Sequence, residues 1–187
     1  EQEIVSLADV KLNVNYAMVI TTNSGLWRYK IGDTVKFTCL NPFRIKITGR
    51  TKHFINVFGE ELVIENAEKA LSLTSELTKS SISDYTVGPV FMGSKTKGSH
   101  EWLIEFDKQP DDLSKFMEIL DLNLQSLNSD YEAKRYKSST LELPKLVVAR
   151  KNLFYDWLSS KNKLGGQNKV PRLSNSREFI EELISMN

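Results

Sequence analysis

Three stretches of this sequence gather residues that could act on a phosphorylated, hydroxyl-bearing ligand. The first, Gly25-Leu26-Trp27-Arg28-Tyr29-Lys30-Ile31-Gly32-Asp33, ends on a carboxylate behind a glycine. A carboxylate projecting from a tight turn can accept hydrogen bonds from two vicinal hydroxyls. The second, Gly49-Arg50-Thr51-Lys52, pairs two cations, and the third, Gln167-Asn168-Lys169-Val170-Pro171-Arg172, sets Lys169 and Arg172 about a proline. A lysine in a flexible loop can be carried into a site by domain closure, where its point charge stabilises charge building on an α-phosphate and a departing pyrophosphate. Each stretch also has a plainer reading. Gly-Asp favours turns, a Gly-Arg-Thr-Lys run suits a solvated connection, and surface lysines are common.

Other patterns carry less. Gly93-Ser94-Lys95-Thr96-Lys97-Gly98 imitates a phosphate-binding loop, but Ser99-His100 stands where Lys and Ser/Thr are needed. The run also joins two strand-like segments instead of opening a helix, so its amides would not converge on a phosphate, and it reads as a hairpin loop. His53 and His100 are isolated in sequence, which disfavours zinc, and no nucleophile elbow supports a hydrolase triad. Trp27-Arg28-Tyr29-Lys30 could stack bases and touch phosphates. On an alternating strand, however, its aromatics share one face and its cations the other, as in any half-buried sheet.

The elements that must position these residues follow from periodicity and turn signals. Short β-branched and aromatic runs at 16–22, 26–31, 34–39 and 43–48 are separated by Asn23-Ser24-Gly25, Gly32-Asp33 and Asn41-Pro42, which reads as an antiparallel β unit. After Arg50 strands and helices alternate. A short strand at 54–57 precedes a helix at 64–76, with Ile64, Ala67 and Leu71 on one face. Strands at 85–92 and 101–106 follow. Leu113, Phe116, Met117, Leu120, Leu124 and Leu127 then mark a helix behind Asp111-Asp112. A helical turn at 130–136 leads to a strand at 141–148, which Pro144 assigns to a sheet edge. Asn152 caps an aromatic helix at 153–158, residues 161–171 form a loop, and Asn175 with Glu178 opens a final helix as a capping box. The fold class expected is α+β: a small, mostly antiparallel sheet with flanking helices, preceded by a short antiparallel β unit.

The chain has 187 residues, 40% hydrophobic and 26% charged, enough for a real core. Its net charge is +1, with eight Lys/Arg against four Asp/Glu in residues 1–52 and seventeen against twenty in 53–187. That mild asymmetry suits a segment near a nucleotide's phosphates and argues against a nucleic-acid partner. No apolar run approaches the roughly 20 residues of a membrane span, and no charged-then-apolar leader opens the chain. The expected location is the cytoplasm, and the single Cys39, read as a half-buried hydrophobe, accords with a reducing compartment. A start at Glu1 suggests a chain cut from something longer.

Taken together, the three stations resemble the signature stretches of acyl-adenylate-forming enzymes, in particular the Gretchen Hagen (auxin-responsive promoter) family of acyl-acid amido synthetases. The resemblance runs from about Tyr16 to the C-terminus. It implies that Asp33 binds the ATP ribose, that Arg50 approaches the nucleotide, that a hinge lies at 51–53 near Lys52, and that Lys169 is catalytic, with Arg172 holding its loop. It also implies that residues 1–50 are the β-rich tail of a large adenylating domain and 54–187 a C-terminal α+β cap. The implied reaction uses ATP and Mg²⁺ to adenylate a carboxylic acid, whose acyl group passes to an amino acid amine. No metal site is expected within the chain itself. Two departures stand out: Asn168 replaces the family's aromatic, and Ile55-Asn56-Val57-Phe58-Gly59-Glu60-Glu61-Leu62 differs from the plant-type Leu-Ser-Ile-like run. The phosphate-gripping loop and the acyl pocket are absent, so the chain alone is expected to be inactive. The rival reading is a non-catalytic binding or protein-interaction module that keeps the fold.

Overall fold

The computed structural model describes residues 4–50, 54–93, 96–138, 140–165 and 169–187. The chain divides into two compact units, residues 1–52 and 53–187.

In the first unit β1 (Asn15–Ile20), β2 (Tyr29–Leu40) and β3 (Phe43–Arg50) form an antiparallel sheet in that order. Val35 and Phe37 alternate inward along β2 and are buried. Tyr16 and Phe43 meet the Phe37 ring edge-on, with centroids 6.0 and 5.9 Å away, the arrangement that ring quadrupoles favour. Cys39 continues the inward alternation and is half-buried. The two strands expected at 26–31 and 34–39 are in fact one. Between Ala17 and Val19 the β1 strand takes two steps, while β2 takes four from Lys30 to Thr34. The Gly32-Asp33 signal is therefore a bulge rather than a turn, and Gly32 supplies its positive φ of 86°. The alternation expected for residues 27–30 also fails. Arg28 has φ +47°, β2 starts only at Tyr29, and Trp27 is 77% exposed.

The second unit is α+β. A two-stranded ladder, β4 (Phe54–Ile55) with β5 (Leu62–Val63), leads into α1 (Ile64–Thr78). Then come β6 (Ser81–Val90), β7 (Ser99–Lys108), α2 (Leu113–Leu127), α3 (Ser129–Arg135), β8 (Lys145–Ala149), α4 (Leu153–Ser160) and α5 (Glu178–Met186). The main sheet has the order β6-β7-β8, with β6 antiparallel and β8 parallel to β7. A parallel neighbour needs a crossover, which α2 and α3 provide. As expected, Pro144 precedes an edge strand, where its missing N–H breaks no ladder bond.

The central strand β7 is buried on both faces. Trp102 and Ile104 join a core with Leu71 of α1 and Phe116, Leu120 and Leu124 of α2. Leu103, on the opposite face, packs with Leu153, Trp157, Ile180 and Leu183 from α4 and α5. Burying each such side chain contributes about 1.5–3 kcal/mol, so the helices on both sides are fixed by one strand. The α2 start is capped as expected, the Asp112 carboxylate accepting from the Lys115 N–H at 2.9 Å.

Two expected caps do not form. Asn152 takes φ +64° and makes no side-chain cap; its N–H donates instead to the buried Glu105 carboxylate at 2.7 Å. Asn175 lies outside α5 and clamps β4 from across the unit. Its Oδ1 accepts from Asn56 N–H and its Nδ2 donates to the Phe54 carbonyl, both at 2.8 Å. That tie also explains why the strand expected at 54–57 stops at Ile55, because the Asn56 N–H has a side-chain partner.

One buried carboxylate enters the core paired. Glu60 and His100, both without solvent exposure, meet at 2.8 Å, and the other Glu60 oxygen accepts from Phe58 N–H at 2.7 Å. Burial alone raises the Glu60 pKa. The hydrogen bond and charge of His100, with backbone amides of Glu60 and Phe58, outweigh that and leave it below its ordinary 4.5. A carboxyl with a depressed folded pKa stabilises the fold above its unfolded pKa and loses that contribution as pH falls through the folded value. Wild type is therefore expected to exceed Glu60→Gln in urea midpoint at pH 7. The gap should narrow as pH drops below about 4.5; a gap independent of pH would refute the ionised pairing.

Candidate functional site

The sequence places its candidate residues in different units. In the first, Asp33 and Arg50 are direct partners across the β2–β3 ladder, and Thr34 faces Gly49 one step on. The bulge makes this possible. By adding residues to β2 opposite β1, it brings the Gly32-Asp33 corner to the end of β3, where the Gly49-Arg50 run finishes. Asp33 is half-buried at that corner. Asp33 and Arg50, seventeen positions apart in sequence, thus share one backbone ladder, which sequence spacing alone did not reveal. Lys52 and the expected hinge at 51–53 lie outside the described residues, as do His53 and residues 166–168.

In the second unit Lys169 is exposed, yet the segment that follows is not a loose loop. Val170 and Leu173 are buried. The Pro171 carbonyl accepts from the Thr86 hydroxyl at 2.6 Å and the Arg172 carbonyl from Val87 N–H at 2.9 Å. Ser174 N–H returns a bond to the Val87 carbonyl at 3.1 Å. The segment therefore runs as a short parallel addition to the free edge of β6, with Lys169 at its exposed start. Pro171 fits here because it has no N–H to leave unpaired.

Arg172 anchors the same segment from its side chain. Its guanidinium pairs with Asp84 at 2.9 Å and lies over the Tyr85 ring at 4.5 Å, a cation–π geometry. Asp84 and Tyr85 were missed by sequence reasoning, because nothing local marks a β6 carboxylate and aromatic as the seat for a residue 87 positions away. His100, isolated in sequence, has the Glu60 carboxylate against it in space. Among the described residues, no group of three or more His, Cys, Asp or Glu side chains gathers to hold a metal ion.

Comparison with known proteins accounts for both units. The model of the GH3 family C-terminal domain matches residues 65–178, and that of the GH3 family central domain matches residues 1–50. The chain belongs to the GH3 family. This is the Gretchen Hagen family that the three stations resemble. Among similar GH3 proteins is an Arabidopsis thaliana protein named 4-substituted benzoates-glutamate ligase, 25% identical over 98% of the chain and 35% of its own length. Another is a jasmonoyl-L-amino acid synthetase of Oryza sativa subsp. japonica, 27% identical over the whole chain and 33% of its own length. The fold is also that of a solved acyl acid amido synthetase, GH3.15, with a TM-score of 0.77 and 23% identity, covering 97% of the chain and 35% of that structure. The chain spans about a third of the length of the curated GH3 relatives it matches. Among the described residues, no helix is long and apolar enough to cross a membrane.

Proposed function

We propose that this chain is the C-terminal part of an ATP-dependent acyl-acid amido synthetase, in which residues 1–50 end a large adenylating domain and 54–187 form a cap hinged at 51–53. The observation that carries the reading is the paired match of the central-domain model to residues 1–50 and the C-terminal-domain model to 65–178. Named relatives of the same family join acids to amino acids or are amido synthetases.

The reaction has two steps. A carboxylate oxygen attacks the α-phosphorus of ATP and pyrophosphate leaves, giving an acyl-adenylate. The amine of an amino acid then attacks the activated carbonyl, AMP leaves, and the amine proton is released as the amide forms. Asp33 accepts hydrogen bonds from the ribose hydroxyls, and its ladder partner Arg50 approaches the nucleotide from β3. Lys169 supplies a point charge to the α-phosphate as pyrophosphate departs. The anchorage of the residues that follow it to β6 supports its delivery by movement of the whole cap. Magnesium would arrive with the nucleotide as Mg-ATP, as part of the substrate. The near-neutral charge fits a cytoplasmic enzyme acting on small molecules, without nucleic acid or membrane partners.

The test is carboxylate-dependent ATP–pyrophosphate exchange in the full-length protein with a panel of aryl and alkyl acids, beside the 187-residue chain alone. Exchange is expected only in the full-length protein. In that protein Asp33→Ala should raise the KM for ATP about tenfold to a hundredfold, the cost of losing hydrogen bonds to a charged group. No exchange with any acid, together with no ATP binding, would overturn the enzyme reading in favour of a binding module.

A further inference from the structure

A lysine ammonium is a point charge on a long, flexible stem, so it is only as well placed as the backbone that carries it. The residues after Lys169 are held from both faces of the main sheet. Val170 enters the core with Leu103, Trp157 and Ile180, and Leu173 enters the other core with Trp102 and Leu71. These apolar anchors set how deeply the segment sits against β6. They leave its tilt to directional contacts, because apolar burial has no preferred direction.

Two side chains of β6 supply that direction. Thr86, 1% exposed, donates its hydroxyl to the Pro171 carbonyl at 2.6 Å. Pro171 has no N–H and a fixed φ, so a grip on its carbonyl orients the peptide just beyond Lys169-Val170. Asp84 holds the next residue. Its Oδ1 meets Arg172 Nη1 at 2.9 Å and also accepts from the Tyr85 N–H at 2.8 Å, so the carboxylate is itself steadied by the strand. The Tyr85 ring lies 4.5 Å from the same guanidinium. Fold stability gives little reason for the ion pair. Arg172 and Asp84 are 28% and 32% exposed, and pairs so placed stabilise weakly, while the Val87 backbone bonds and the burial of Leu173 already dock the segment.

We propose that Thr86 and Asp84 are positioning residues for Lys169. They fix the tilt of residues 170–172, and with it the point from which the Lys169 ammonium reaches the α-phosphate as pyrophosphate leaves. The inference rests on the role given above to Lys169, and it adds that the two steps of the reaction differ in their need for β6. Charge builds on the α-phosphate and the departing pyrophosphate only in the first step, where a misplacement of about 1 Å can cost roughly 10²-fold. In the second step the amine attacks the acyl carbonyl and AMP leaves, with no pyrophosphate to stabilise. Loosening the β6 grip therefore slows the first step and spares the second.

The test uses the full-length protein with an acid that supports ATP–pyrophosphate exchange. Exchange reads the first step. Amide formation from the synthetic acyl-adenylate of that acid and a mixture of the standard amino acids reads the second. Thr86→Val, which keeps the shape and removes the hydroxyl, is expected to lower the exchange kcat about tenfold with the KM for ATP little changed. Asp84→Asn should lower it about threefold, because a neutral amide makes a weaker contact with Arg172. Amide formation should stay within about twofold of wild type in both, whereas a folding defect would slow both steps together. Thr86→Ser, which keeps the hydroxyl, should restore most of the exchange. Combined with Lys169→Ala, Thr86→Val should cause no further loss, since residues that act through one group are not additive. Equal slowing of both steps, a further loss on top of Lys169→Ala, or unchanged exchange in Thr86→Val and Asp84→Asn would overturn the positioning role and leave Lys169 in the mechanism. Unchanged exchange in Lys169→Ala, or none in wild type with any acid, would instead overturn the reading beneath the inference, and the inference with it.

Discussion

Replacing Lys169 by alanine in the full-length protein is expected to lower carboxylate-dependent ATP–pyrophosphate exchange by about 10²–10³-fold, the usual loss when one preorganised charge-stabilising group is removed. The structure makes this a clean experiment. The Lys169 side chain is exposed, whereas Val170, Pro171, Arg172 and Ser174 hold the segment through buried apolar contacts and hydrogen bonds to the Thr86 hydroxyl and the Val87 backbone. Truncation at 169 should leave that anchorage and the fold intact, so thermal stability is expected to stay within about 0.5 kcal/mol of wild type. The loss should appear in kcat, with the KM for ATP little changed, because the charge is needed where negative charge develops. An Ala variant retaining near-wild-type exchange would remove Lys169 from the mechanism and leave Arg172, or a group in the preceding domain, as the source of the cation.

The second large effect concerns stability. Asp121, 4% exposed, accepts from Arg135 Nε at 2.7 Å and Arg135 Nη2 at 2.8 Å through its two oxygens, and from the Tyr131 hydroxyl at 2.8 Å. Gln125 adds a fourth bond at 2.8 Å, and Arg135 reaches on to the Leu141 carbonyl at 2.8 Å. Burial by itself disfavours the Arg135 charge, but the hydrogen bond and charge of Asp121 more than offset it and raise the guanidinium pKa. Tyr131 is pushed well above its ordinary value, chiefly by burial and then by the Asp121 charge, so it stays a neutral donor. Asp121→Ala strands a buried cation and a buried hydroxyl together. Removing one partner of a buried pair costs about 3–5 kcal/mol, which chemical denaturation should read as a shifted midpoint with unchanged slope. The double variant Asp121→Leu with Arg135→Met should recover much of that loss, since an apolar pair of similar volume carries no stranded charge. A single-variant loss near 1 kcal/mol would mean that water reaches Arg135 and the network is a surface feature.

These two predictions differ in how far sequence reading could reach them. Lys169 and Asp33 were singled out from their neighbours, because a Gln-x-Lys-x-Pro-Arg run and an aromatic-Arg-x-x-x-Gly-Asp run are local patterns. The α+β class, the α2 cap at Asp112, the edge strand after Pro144 and the antiparallel pairing of the strands on either side of residues 93–98 are local too, resting on periodicity, capping and turn chemistry within a few residues. The Asp121-Arg135-Tyr131 network left no such mark. Its members lie on two helices and meet only because α2 and α3 pack beside each other.

The misread positions share one cause. Gly32-Asp33 has the composition of a turn, but the extra residues were absorbed as a bulge because β1 and β3 already fixed the ladder on either side. Asn175 and Asn152 have the composition of caps, yet the nearer partners in space were the β4 backbone for one side chain and the Glu105 carboxylate for the other residue's amide. His100 stands alone along the chain and pairs with Glu60 across forty positions. The sequence by itself determined the α+β class, most of the element order, and the side-chain types at Asp33, Arg50 and Lys169, because these depend on composition and on spacings of two to four residues. Only the tertiary structure decided that Asp33 and Arg50 are ladder partners, that the Lys169 segment is pinned to β6, and that Arg172 meets Asp84 and Tyr85. Those outcomes depend on strand register and helix packing, which are set by the burial of many distant side chains at once.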